Sequence, residues 1–190
     1  YCGKKMLRCP VGIDVERITD HAKSQKSCDV LIYDKIYWNR DEIVSKVLER
    51  LLSILEERGL DYKILRYGSH SQGEYFATLK HSRSMAFLSA HETQGLACEE
   101  ALAMNVPVFA WDEGILSDPV QSRFASKDLV VSSVPYFDER CGMTFTAANI
   151  ADRFDAFWAA LQSYSPREYI QEHLKPEDTA KVYTQAYWGI

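Results

Sequence analysis

The chain has 190 residues, 46% of them hydrophobic and 26% charged, with a formal charge of −5. That length supports one α/β domain with a sizeable core, and the acidic balance argues against a nucleic-acid binder, which needs a basic face to displace counterions. The longest apolar runs, such as Val106–Trp111, are strand-sized, so a membrane span is not expected, and no signal-peptide pattern opens the chain.

Residues 1–28 lack periodicity around Val11-Gly-Ile-Asp14 and read as a connector entering the domain. From Asp29 to Lys35 a short apolar run predicts a buried strand. Asn39, with Glu42 three residues on, suggests a capping box opening a long amphipathic helix whose stripe is Ile43, Val47, Leu51 and Leu55 and which Gly59 ends. Asp61–Ser69 is the second expected strand, turning at Gly68. Gln72–Ser82 follows as a helix with Tyr75, Phe76 and Leu79 on its apolar face, and Ser84–Ala90 as the third strand. Thr93–Met104 is expected as the third helix and Val106–Trp111 as the fourth strand. Such a β-α-β series requires crossover connections, hence a parallel, Rossmann-like sheet with helices on both faces.

Beyond Trp111 the pattern loosens. Asp112–Lys127 reads as a loop, Val130–Val134 as a short strand, and Asp138–Gly142 as a charged turn. Thr146–Ser163 is expected as a helix with Ile150, Phe154, Phe157 and Leu161 facing inward, and Glu177–Trp188 as a last helix after Pro176. The five cysteines, Cys2, Cys9, Cys28, Cys98 and Cys141, are odd in number and form neither a CxxC nor a zinc pattern. They read as free thiols of a reducing cytoplasm, with a Cys2–Cys9 crosslink the less favoured alternative.

The most informative stretch runs from Ser89 to Ala110, SAHETQGLACEEALAMNVPVFA. It passes from a strand end through a helix into the next strand, with Glu92 in the loop, Gly95 at the helix start and Glu100 about two turns into the helix. Ligands of open α/β sheets bind at the carboxyl ends of the strands, and a helix N-terminus offers free N–H groups to a phosphate. Carboxylates flanking such a terminus can accept from a sugar on one side and a ribose on the other.

This stretch resembles the spaced glutamate pair of retaining GT-B glycosyltransferases, in Ser89, Glu92, Gln94-Gly95-Leu96, Glu100-Ala-Leu-Ala103 and Pro107-Val108. It departs at Gln94, where an aromatic is common, and at Asn105, where glycine is common. Pro10-Val-Gly-Ile-Asp14 is similar to that family's connector, with Val11 in place of Asn. The resemblance implies one half of a GT-B fold: 1–28 as interdomain connector, 29–165 as the nucleotide-sugar-binding domain, and 166–190 as a C-terminal helix packing back toward an N-terminal acceptor-binding domain outside these residues. It implies transfer of a sugar from a nucleotide-diphosphate sugar with retention and without metal or cofactor, commonly in polysaccharide biosynthesis, with any membrane association supplied by the other half. By it, Glu92, Lys35 and Arg40 carry the catalytic electrostatics. Glu100 takes the ribose, the N–H groups of Gln94, Gly95 and Leu96 face the diphosphate, and Thr93, Ser69 and His91 complete the donor site, with the base near Gly68-Ser69-His70. The fragment alone is expected to be inactive.

Other readings stay open. Lys35 and Arg40 are also what an ordinary charged surface carries. A non-catalytic nucleotide-sugar-binding module or a GT-B-type sugar epimerase fits the same motif. A phosphorylase lacks a recognisable phosphate or cofactor site, a dehydrogenase is disfavoured because no GxGxxG follows the first strand, and a receiver domain lacks its acidic cluster.

Overall fold

The computed structural model describes residues 7–188. Five strands, β1 (Cys28–Lys35), β2 (Tyr62–Arg66), β3 (Ser82–Ser89), β4 (Val108–Trp111) and β5 (Gly142–Phe145), form one parallel sheet in the order β2-β1-β3-β4-β5. The α/β class and parallel sheet expected from the alternation are present.

Period-two alternation decides which residues meet which layer. Leu31, Tyr33, Met85, Phe87, Val108 and Ala110 point to one face and pack with α3 (Gln72–His81), α4 (Leu96–Ala103) and α6 (Pro166–His173). Val30, Ile32, Ala86, Leu88 and Phe109 point to the other, against the long first helix and α5 (Ile150–Ala159). The first helix is continuous through α1 (Arg40–Ile43), a π-helical turn (Val44–Leu48) and α2 (Glu49–Glu57). Val47, Leu51 and Leu55 are fully buried, as the stripe requires, and Gly59 leaves the helix with φ +62°.

Several local expectations are corrected. Asn39 makes no side-chain cap; it adopts the left-handed conformation at φ 50°, ψ 39°, so the chain turns by backbone geometry rather than by a capping box. Helix α4 starts at Leu96, not Thr93, because Gly95 sits at φ 89°, ψ 48° and halts the helix there. Val130–Val134 forms no strand. The fifth strand is Gly142–Phe145, just after the charged turn, where only four residues carry the signal. Two helices rather than one occupy the tail, α6 and α7 (Pro176–Trp188).

Position 142 requires glycine. Its φ is +140°, and a Cβ there would lie 2.0 Å from the Val108 carbonyl oxygen on the neighbouring strand. Gly12 lets the N-terminal segment lie against the start of α7, since a Cβ would meet the Pro176 Cα at 2.3 Å. Ile13 N–H donates to the Leu174 carbonyl at 2.8 Å, and the Arg167 guanidinium donates to the carbonyls of Val15, Ile18 and Ala103. The segment before β1, α4 and the tail are thus stitched together on one side of the sheet.

Cys9, Cys28, Cys98 and Cys141 are free thiols, and Cys2 lies outside the described residues. Among the described residues no helix is long and apolar enough to cross a membrane.

Candidate functional site

The strand order places a topological switch point between β1 and β3: β1 leads through its helix to β2 on one side, and β3 leads to β4 on the other. The loops leaving β1 and β3 therefore diverge and open a crevice at their carboxyl ends, where α/β sheets take ligands. Both strands are apolar through their middles, Val30–Tyr33 and Met85–Leu88, and polar residues arrive together at their carboxyl ends. Register pairs Lys35 with Ser89 across the switch point.

Lys35 Nζ lies 2.6 Å from Glu92 Oε1, and the two side chains are 21% and 11% exposed. Ser89 Oγ donates to the same carboxylate oxygen at 2.7 Å. Lys35 also lies over the Tyr67 ring, 4.8 Å from its centroid. The Glu92 amide donates to the Ser132 carbonyl at 2.9 Å, tying the loop after β3 to the loop after β4. His91, next in line, stacks on Trp38 with ring centroids 4.7 Å apart and 15° between planes. Burial lowers its pKa, and its Nε2 has no partner among the described residues.

Arg40 is held differently. Its guanidinium donates to both oxygens of Asp34, at 2.9 and 2.5 Å, and to the Ile36 carbonyl at 2.8 Å. Asp34 is only 3% exposed. The bidentate fork fixes the loop after β1, and burying a carboxylate in the last turn of a strand demands such a partner.

After β3 the chain turns through Thr93, which is exposed, and Gln94 to the buried Gly95. Helix α4 has no side-chain cap, so its first N–H groups are left without a capping side chain. No side chain at 95 stands in the way, and the positive φ makes glycine the fitting residue. Leu96 is half exposed at 48%. Glu100 falls one turn into the helix, rather than two, because the helix begins late. Its Oε1 accepts from Gln72 Nε2 at 3.3 Å, and burial raises its pKa while Gln72 opposes the rise.

Gln94 uses its side chain away from the crevice, on the backbone of Val11 and on Glu99. Glu99 is 1% exposed, and burial pushes its pKa up to about 7 against the opposing Gln94 bond.

On the β2 side, Ser69 is exposed at the turn where Gly68 takes φ +79°, and His70 follows. His70, Tyr67 and Tyr75 surround Tyr33, at centroid distances of 6.4 Å for Tyr67, 5.4 Å for His70 and 5.2 Å for Tyr75. Burial raises the Tyr33 phenol to about 12, so it stays a neutral donor. The Tyr75 hydroxyl donates to the Ala97 carbonyl, joining this aromatic group to the first turn of α4.

Lys35 and Glu92 thus pair at the carboxyl ends of β1 and β3, with His91 beside Glu92 and with Gly95, Leu96 and Glu100 following at the start of α4, while Arg40 and Gln94 spend their side chains on Asp34 and Val11. Sequence reasoning missed Asp34, Trp38, Gln72 and Glu99. Asp34 could have been found as a charge inside an apolar strand, which must find a cation. Nothing local marks the other three.

No family model matches the chain, and no curated protein matches it. Solved structures do. TarM of S. aureus is 17% identical, with 89% of this chain and 37% of that chain covered at a TM-score of 0.51. The lipopolysaccharide outer core galactosyltransferase WaaB, in its apo form, is 13% identical, with 94% and 54% covered at a TM-score of 0.55. The pneumococcal O-GlcNAc transferase GtfA, in complex with UDP and GlcNAc, is 13% identical, with 92% and 38% covered at a TM-score of 0.53. At these identities the likeness is one of fold: the chain has the Rossmann-like α/β fold of a GT-B glycosyltransferase domain. It spans between about a third and a half of each of those chains.

Proposed function

We propose that this chain is the donor-binding half of a two-domain retaining glycosyltransferase that takes a nucleotide-diphosphate sugar and needs no metal. One observation carries the proposal. At the switch point of the sheet, the Lys35–Glu92 pair stands beside an uncapped helix start at Gly95, with Glu100 one turn along the same helix. A fold shared with glycosyltransferases does not by itself fix the activity; in this reading the residues at the carboxyl ends of β1 and β3 supply the chemistry.

In this reading the diphosphate lies on the N–H groups of Gln94, Gly95 and Leu96, where the helix end favours negative charge. Lys35 moves from Glu92 to the diphosphate as the leaving group gains charge, and Glu92 accepts from sugar hydroxyls in its place. Glu100 takes the ribose hydroxyls, with Gln72 beside it. Thr93, Ser69 and His91 border the donor, and the base sits toward Ser69 and His70. Arg40 contributes through Asp34, by fixing the loop that presents Lys35. Stabilising the departing diphosphate is the main catalytic effect. The acceptor and the rest of the cleft belong to a second domain, and this half alone transfers nothing. A cytoplasmic setting in polysaccharide assembly is part of the proposal.

Calorimetric titration with UDP, GDP and ADP, beside Glu100→Ala, tests it. One diphosphate should bind, and the variant should lose about 1.5–3 kcal/mol, as expected for a hydrogen bond to a charged group. Binding undiminished in Glu100→Ala refutes the placement of the ribose, and no binding of any of the three refutes the donor-site reading.

A further inference from the structure

We infer that Gln94 is a positioning residue that latches the donor turn to the N-terminal segment, so that filling the turn and ordering the chain around Val11 reinforce each other. The inference rests on the donor-site reading above.

Gln94 is the residue before Gly95, and its backbone N–H is one of those the diphosphate would use. Its side-chain amide pairs with both backbone groups of Val11. Val11 N–H donates to Gln94 Oε1 at 2.8 Å, and Gln94 Nε2 donates to the Val11 carbonyl at 2.7 Å. This copies the two-point exchange of a β-bridge with a side chain in place of one strand. The second Nε2 proton goes to Glu99 Oε2 at 2.8 Å. Both amide protons are therefore committed, one to the N-terminal segment and one to α4.

Burial does not hold Val11 in place, because it is 54% exposed. Its hydrogen bonds do. On either side the segment is anchored to the tail: Thr179 Oγ1 donates to the Pro10 carbonyl at 2.7 Å, and Ile13 N–H to the Leu174 carbonyl at 2.8 Å. Gln94 is thus the point where the donor turn touches a segment otherwise tied to the tail. A diphosphate that draws in the N–H groups of residues 94–96 fixes the backbone of Gln94 and with it the direction of its side chain. The amide is then presented to Val11 at no further cost in order. Coupling of this kind is reciprocal: a well-ordered Val11 must raise nucleotide affinity by the same factor. An aromatic side chain at this position could pack but could not make the two-point pairing. In a two-domain enzyme the effect would be to report donor occupancy to the chain that enters from the other domain.

The test is amide exchange at Val11, read by NMR on the 190-residue chain with and without saturating UDP, GDP or ADP, together with each variant's affinity for the nucleotide that binds. In the wild type that nucleotide should slow Val11 exchange at least about threefold. Gln94→Met keeps the volume and removes both bonds to Val11 together with the one to Glu99. It should speed Val11 exchange about fivefold, weaken nucleotide binding several-fold and abolish the response of Val11 to nucleotide, each step about one neutral hydrogen bond's worth. Gln94→Glu can still accept from Val11 N–H but cannot donate to the Val11 carbonyl and faces Glu99, so it should weaken nucleotide binding and the response of Val11 while speeding Val11 exchange less than Gln94→Met. Thr179→Val should loosen Pro10 and leave the nucleotide response in place. Nucleotide binding with unchanged Val11 exchange, or an unaltered response in both Gln94 variants, overturns the latch while the donor-site reading stands. If no nucleotide binds, both fall together.

Discussion

Glu99 should give the protein a pH-dependent stability that one substitution removes. The side chain is 1% exposed on the first turn of α4; Oε2 accepts from Gln94, and Oε1 has no partner among the described residues. Burial is the largest influence on it and pushes its pKa from the ordinary 4.5 to about 7, with Gln94 opposing and Glu100 adding to the rise. The folded protein then binds a proton that the unfolded chain has already released. Stability is full below pH 4.5 and falls as pH rises toward about 7, above which this contribution is constant. At about 1.36 kcal/mol per pH unit the loss reaches roughly 3 kcal/mol. Glu99→Gln keeps the shape and the acceptor for Gln94 but carries no charge. Urea unfolding from pH 4.5 to 8.5 should show the wild type losing stability across that window relative to the variant. The variant should be more stable at pH 8 by about 1–3 kcal/mol. Because Glu100, Tyr169 and Cys98 are present in both proteins, the difference isolates Glu99. Parallel pH curves, or a variant less stable at pH 8, would refute the reasoning.

Two further substitutions probe the scaffold. Gly142→Ala drives a methyl group to 2.0 Å from the Val108 carbonyl oxygen at φ +140°, so β5 must leave β4; a loss above about 3 kcal/mol, seen as a melting point lower by roughly 10 °C or as failure to fold, is expected. Phe154→Ala removes a fully buried ring from between Phe109, Phe157 and Trp158, and urea denaturation should show a loss of about 3–5 kcal/mol with little change in slope.

The parts of the fold legible in the sequence are those where one physical rule dominates over many residues. Strands β1, β3 and β4 lie in apolar runs and β2 follows the glycine that ends the striped first helix, and all four form, each within a few residues of the expected bounds. Strand β5 has four residues, and its place is set by Val108, thirty-four residues away; no local pattern reveals that. The Val130–Val134 segment has strand composition but finds no neighbour, because β5 takes the free edge of β4. At the site, the spacing of Glu92, Gly95 and Glu100 places them on one loop and helix start, since that geometry is local. What Gln94 and Arg40 do with their side chains depends on partners brought in by the tertiary fold, Val11 and Asp34. Neither a period nor a motif encodes those.

The contrast between the two cations after β1 follows from the partners they meet. Arg40 answers a carboxylate that is 3% exposed, with two bonds to it and a third to the Ile36 carbonyl. Withdrawing the guanidinium would leave Asp34 buried and uncompensated, which is among the costliest things a protein interior can hold. Lys35 faces a carboxylate that keeps another donor, Ser89, at 2.7 Å when the lysine leaves. In the proposed complex a polyhydroxy ligand replaces the bond that Glu92 loses. An ammonium is a compact charge with three rotatable donors on a flexible stem, so Lys35 can turn from Glu92 to a phosphate without dismantling the loop. In the proposed reaction the arginine is therefore fixed and the lysine mobile, and the resting Lys35–Glu92 pair stands in for the interactions that each side chain makes when the donor is bound.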